Sequence, residues 1–135
     1  MSKRQLIMTA IRSVLETAFD GVEVGYWRDA KPQGRTPLIA FRDTGATHSR
    51  VNREHEHTVR VEIDAYVFGD DLGTAMNERL EALVQAIGTN PSFGVPTAHA
   101  EIEASGLDTL GDGYEVGIVS LVLTVTYRTT AWAGT

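Results

Sequence analysis

From Val59 the chain alternates strictly, with Val59, Val61, Ile63, Ala65 and Val67 apolar and Arg60, Glu62 and Asp64 between them. A period of two puts the apolar set on one face of a strand and the charged set on the other. Through Gly69, Asp70 and Asp71 the pattern changes to steps of three and four: Leu72, Ala75, Met76, Leu80, Leu83, Val84 and Ile87. That stripe predicts an amphipathic helix, capped by Asp70 or Asp71, ended by Gly88 and barred from continuing by Asn90-Pro91. Glu78 and Arg79 fall off the stripe and are expected to face solvent. Thr58 to Ile87 is therefore the frame against which the rest is laid.

At the N-terminus, Leu6, Ile7, Ala10, Ile11, Val14, Leu15 and Ala18 form a second helical stripe, from about Ser2 to Phe19. Ser2 suits its start and Asp20-Gly21 its stop, while Arg4, Thr9, Arg12, Ser13 and Glu16 make a solvated face. Val22, Val24 and Tyr26 predict a short strand. The polar stretch Arg28 to Thr36, with Pro32 and Gly34, reads as a loop. Its cations Arg28, Lys31 and Arg35 are candidates for gripping a phosphate or an acidic partner, against the plainer reading of a solvated turn. Pro37 opens a second short strand, Leu38 to Phe41.

Arg42 to His57 carries only Ala46 and Val51 as apolar residues. Such a stretch buries too little to offset its ordering entropy, so the expectation is a mobile loop that orders against a partner, with Arg50 and Arg53 as docking candidates. After the second helix, Ala98, Ala100, Ile102 and Ala104 alternate with His99, Glu101 and Glu103, as expected of an edge strand with a small apolar side turned inward. Gly106 to Gly113 reads as a turn with Gly111-Asp112-Gly113 at its tip. The last strand, about Tyr114 to Thr129, has Val119, Leu121, Leu123, Val125 and Tyr127 on one side. Its other side also holds apolar residues, Ile118 and Val122, and the frame strand adds Tyr66 and Phe68 on the same parity. These four predict a contact with another subunit, the alternative being scattered surface apolar residues.

The expected fold is one α+β domain over residues 1–135, with two helices packed on one face of a mixed, mostly antiparallel β-sheet in the order α-β-β-β-α-β-β. The pairing around the second helix, parallel or antiparallel, stays open.

Composition narrows the function. Cysteine is absent, which removes disulfides, thiolate nucleophiles and cysteine metal ligands. A net charge of -6 gives a long-range field of the wrong sign for indiscriminate attraction to nucleic acid or anionic membrane. No apolar run approaches eighteen residues, and the start leads into an amphipathic helix rather than a signal-peptide segment. His55 and His57 in Glu54-His55-Glu56-His57 invite a metal reading, but only two imidazoles converge, and His48 or His99 would have to arrive from elsewhere. Asp70-Asp71 is explained by helix capping, and Glu101 and Glu103 lack a nucleophile or base beside them. No phosphate-binding loop, dinucleotide glycine pattern, nucleophile elbow or His-Glu-x-x-His helix occurs. The residues thus offer no catalytic, cofactor or metal site, though a small metal- or ligand-binding enzyme built from scattered groups is kept as a rival.

The order of elements, with Pro37-Leu38-Ile39-Ala40, Glu56-His57-Thr58-Val59-Arg60-Val61, Ala82-Leu83-Val84-Gln85-Ala86-Ile87 and Leu123-Thr124-Val125-Thr126-Tyr127-Arg128-Thr129, resembles the tail terminator and tail completion proteins of long-tailed bacteriophages (minor tail protein U-like). The resemblance spans nearly the whole chain, and a related head-to-tail joining family shares much of the pattern. It implies a structural protein without cofactors that forms a ring, commonly hexameric. Such a ring caps the tail tube, ends its polymerisation and offers a surface to the head. The partners implied are further copies of the chain, the tail tube protein and head-tail connector proteins, with no membrane and no sequence-specific nucleic acid. The implied place is the head-proximal end of the tail in the virion, after assembly in the host cytoplasm. The neighbouring alternative is a head-completion or head-to-tail joining role.

Overall fold

A computed structural model describes residues 2–26, 37–51, 53–69, 71–89, 98–110 and 116–130. Its elements run α1 (Lys3–Ala18), β1 (Glu23–Tyr26), β2 (Leu38–Val51), β3 (Glu54–Phe68), α2 (Leu72–Thr89), β4 (His99–Leu110) and β5 (Val116–Thr130), the expected order. One five-stranded sheet has the strand order β1-β2-β3-β5-β4. Among the described residues only β1 and β2 pair in parallel; the other neighbours are antiparallel. The question left open around α2 is settled by this order. β3 and β4 point the same way but do not touch, because β5 lies between them and pairs antiparallel with both.

Both helices lie on one face of the sheet, and the core fills the space between. Ser2 and Gln5 make a reciprocal capping box at the start of α1, and Gly21, at φ +82°, turns the chain after it. Ile7, Ile11 and Leu15 of α1 and Leu72, Met76, Leu83 and Ile87 of α2 cover Val59, Val61, Ile63 and Ala65 of β3 and Val119, Leu121, Leu123 and Val125 of β5. The two alternating strands supply the floor, as their period requires. Of the two aspartates proposed to cap α2, Asp71 does so: its carboxylate accepts from the Thr74 backbone N–H at 3.3 Å and hydroxyl at 2.9 Å. Asp70 lies outside the described residues, as do Asn90-Pro91, Gly111-Asp112-Gly113, Tyr114 and the Arg28 to Thr36 stretch.

Several expectations need correction. Arg42 to His57 is not a loop. The second short strand continues to Val51, β3 begins at Glu54, and the two pair along their length with only Asn52 and Arg53 between them. Backbone ladder bonds hold this hairpin more than apolar burial does, and its third strand is β5, paired with β3 as far as Glu54↔Thr130. A register shift between Asp43 and Gly45 bends β2 where the apolar run stops. Likewise, the start of the predicted turn at Gly106 is strand, since β4 runs to Leu110.

On β4, Ala98 and Ala100 point inward as expected, but Ile102 is 39% exposed and Ala104 is exposed. A register shift between Ile102 and Ala104 breaks the alternation at the rim of the helix layer. Val84, at the border of its stripe, is also exposed. Arg79 does not simply face water: its guanidinium lies 4.9 Å over the Phe19 ring, tying α2 to the end of α1. Arg4 leaves the solvated face of α1 to bind Asp43 on β2 at 2.9 Å through Nε and 2.5 Å through Nη2.

Candidate functional site

The face of the sheet that carries no helix divides into two halves. At one end Tyr66, Phe68 and Ile118 come together, while Val122 sits beyond the Asp64–Ser120 pair, at the border of the charged half. Tyr66 of β3 stands directly opposite Ile118 of β5, Phe68 opposite Val116, and Val122 opposite Glu62. All four predicted residues, Tyr66, Phe68, Ile118 and Val122, are half-buried. Leu38 and Ala40 lie on the same face and pack with Tyr66, both almost fully buried, a neighbourhood that alternation in β3 alone did not reveal. Burial, and after it the charge of Asp64, raises the Tyr66 hydroxyl above its ordinary pKa, so it stays a neutral donor. Asp64 in turn accepts from the Ser120 hydroxyl at 2.8 Å.

The other half is a lattice of opposite charges. Arg42 donates to Glu62 at 3.0 and 3.2 Å; Arg60 lies 3.4 Å from Glu103; Thr124 donates to Glu103 at 3.1 Å; Arg128 lies 3.4 Å from Glu56 and 3.8 Å from Glu54. Cross-strand pairs of this kind stabilise a sheet modestly while keeping its surface wet. A shallow depression lies over this half, lined in part by Thr47, Thr58, Arg60 and Glu103. Arg50 and Arg53, proposed as docking cations, sit at the far tip of the β2-β3 hairpin, both exposed. Arg28, Lys31 and Arg35 lie outside the described residues.

The histidines take a different arrangement from the one weighed for a metal. His48 and His57 are register partners on β2 and β3, and His57 is buried, 2% exposed, with its Nε2 2.7 Å from the Thr129 hydroxyl and its ring stacked on Tyr127. His55 lies 6.1 Å away, ring to ring, and His99 is on β4, 3.6 Å from Glu101. Among the described residues no three histidine, aspartate or glutamate side chains converge as metal ligands. Burial, followed by the charges of His48 and His55, holds the His57 pKa below the ordinary imidazole value. This imidazole is an internal polar tie: one nitrogen per ring donates and the other accepts.

At the hinge between β1, α1 and β2, Asp43 also accepts from the Tyr26 hydroxyl at 2.6 Å. Burial alone raises this carboxyl, but the bonds from Tyr26 and Arg4 and the Arg4 charge outweigh it and hold it below the usual range.

No family model matches the sequence, and no curated protein matches it. Among solved structures, the chain is similar to a chain of the virion of a native gene transfer agent (GTA) particle, with a TM-score of 0.54 and 12% identity over 95% of this chain and 92% of that one. The likeness covers nearly the whole of both chains, and at this identity it is a likeness of fold.

Proposed function

We propose that this chain is a structural subunit of a phage-like particle, a ring-forming protein that caps the end of a tail tube, stops its growth and presents a head-joining surface. The observation that carries the reading is a fold shared end to end with a virion component at 12% identity. The phage tail-terminator resemblance of the sequence agrees with it. In this reading the work is done by surfaces. The apolar groups of the helix-free face, Tyr66, Phe68 and Ile118 with Val122 further along it, supply contact within the assembly, and the exposed hairpin tip with Arg50 and Arg53 reaches towards the tube or its connector. A heterologous patch pair that closes on itself yields a ring, and contact through different surfaces above and below it joins two dissimilar partners. An acidic wall also repels passing DNA instead of gripping it.

The test adds this chain to a polymerising tail tube protein of the same phage-like particle. Added protein should shorten the tubes and appear at one tube end in negative-stain images. Tubes of unchanged length with no end density would overturn the capping role.

A further inference from the structure

How copies would join turns on the two rims of the sheet. Among the described residues β1 covers β2 only from Leu38 to Phe41, so the outer side of β2 from Thr44 to Val51 has no paired strand, and neither has the outer side of β4 from His99 to Leu110. Bare strand edges invite pairing, and proteins use charge to choose which pairing occurs. The two rims differ in sign. β4 carries Glu101, beside His99, and Asp108, with Glu103 shared with Arg60, whereas the Thr44 to Val51 edge carries no acidic residue and has Arg50, with Arg53 in the turn beyond it. Two β4 edges repel each other, while β4 against a neighbour's β2 brings opposite charges together.

Direction fits as well. β2 and β4 run oppositely across the sheet, because three antiparallel steps separate them. A copy rotated about an axis parallel to the strands therefore sets its β2 antiparallel to β4, with the helices of both copies on the same side of the wall. Ile102 and Leu107, 39% and 43% exposed on the helix side of β4, lie along the seam this creates. We propose that copies of this chain join head to tail by pairing the β4 edge of one with the Thr44 to Val51 edge of the next, making one continuous sheet around the ring. The proposal rests on the ring reading for its occupant, a second copy.

Amide hydrogen exchange on the full chain, dilute and then assembled, tests it without knowledge of register. Exchange should slow about tenfold or more in both edges together. The chain has no cysteine, so Ala104→Cys alone is a clean reporter: under oxidation it should give no disulfide dimer. Assembly with either edge unprotected, or an Ala104→Cys dimer from β4-β4 pairing, overturns the edge pairing and leaves the ring intact. Absence of assembly at every concentration overturns both.

Discussion

Nδ1 of His57 lies 2.5 Å from Nδ1 of His48, with the two rings edge to face at 4.8 Å. At that distance only one of the two nitrogens can carry a proton, and the second nitrogen of His57 is buried against Thr129, so a doubly protonated His57 ring is disfavoured in the fold. The folded state thus resists protonation that the unfolded chain accepts. Between pH 6.5, the ordinary imidazole value, and the lower folded value, the unfolded state binds more protons, so stability rises with pH across that window and falls as the solution is acidified. Thermal unfolding followed from pH 7.5 to about 5 should show a falling midpoint, with a shallower slope in His57→Gln. A midpoint independent of pH would contradict the pairing.

Asp43 predicts a second, more acidic step. Its carboxyl is held below 3.8, so the stability it confers is present above that value and is lost as pH falls through the folded pKa. Asp43→Asn, which keeps the shape but not the charge, should lose that lowest step and leave the imidazole step in place. Circular dichroism across the acid range reads both.

The assignment of faces on β3 is tested by neighbours. Ile63 is fully buried under the helices, and Asp64 lies on the opposite face against Ser120. Ile63→Asp should abolish folding, since an unpaired buried charge costs several kcal/mol, comparable with a domain's whole stability. Asp64→Ser should fold and melt within about 1 kcal/mol of the parent. Similar far-ultraviolet spectra and melting for the two would reverse the faces.

Gly117 on β5 is buried where Met76 of α2 crosses it; a Cβ there would come within 2.5 Å of the Met76 sulfur. Gly117→Val should destabilise by about 1 to 3 kcal/mol through overpacking. Adding Met76→Ala should recover part of that loss, because the space vacated takes the new side chain. Purely additive losses in urea titrations would show that the two residues do not meet.

Tyr127 is 1% exposed, and its hydroxyl has no hydrogen-bond partner among the described residues. Tyr127→Phe removes a desolvated polar atom while keeping the ring against His57, so stability should hold or rise, by up to about 2 kcal/mol. A marked loss would mean that the hydroxyl is engaged.

What could be read from the sequence followed from burial. Val59 to Val67, Val119 to Tyr127 and the stripes of both helices are one-sided, and one-sided elements announce their period. The hairpin from Arg42 to His57 is not legible in the sequence for the converse reason. Its stability lies in backbone pairing and in cross-strand partners such as Arg42 with Glu62 and His48 with His57, which involve no apolar periodicity. The alternation at Ile102 and Ala104 misled because the register shift there is a property of the pair of strands. Of the candidate site, the parity of Tyr66, Phe68, Ile118 and Val122 placed them on one face; the buried Leu38 and Ala40 beside Tyr66 became visible only once β2 was known to pair with β3.

A protein that acts as a closed wall of identical copies must form that wall. Sedimentation velocity on the full chain over a wide concentration range, with and without added salt and divalent cation, measures this directly. The account predicts one discrete species of ring mass, six chains for the hexamer implied by the resemblance, in equilibrium with little between it and the monomer. A monomer at every concentration and condition, or an open series of ever-larger oligomers, would contradict it.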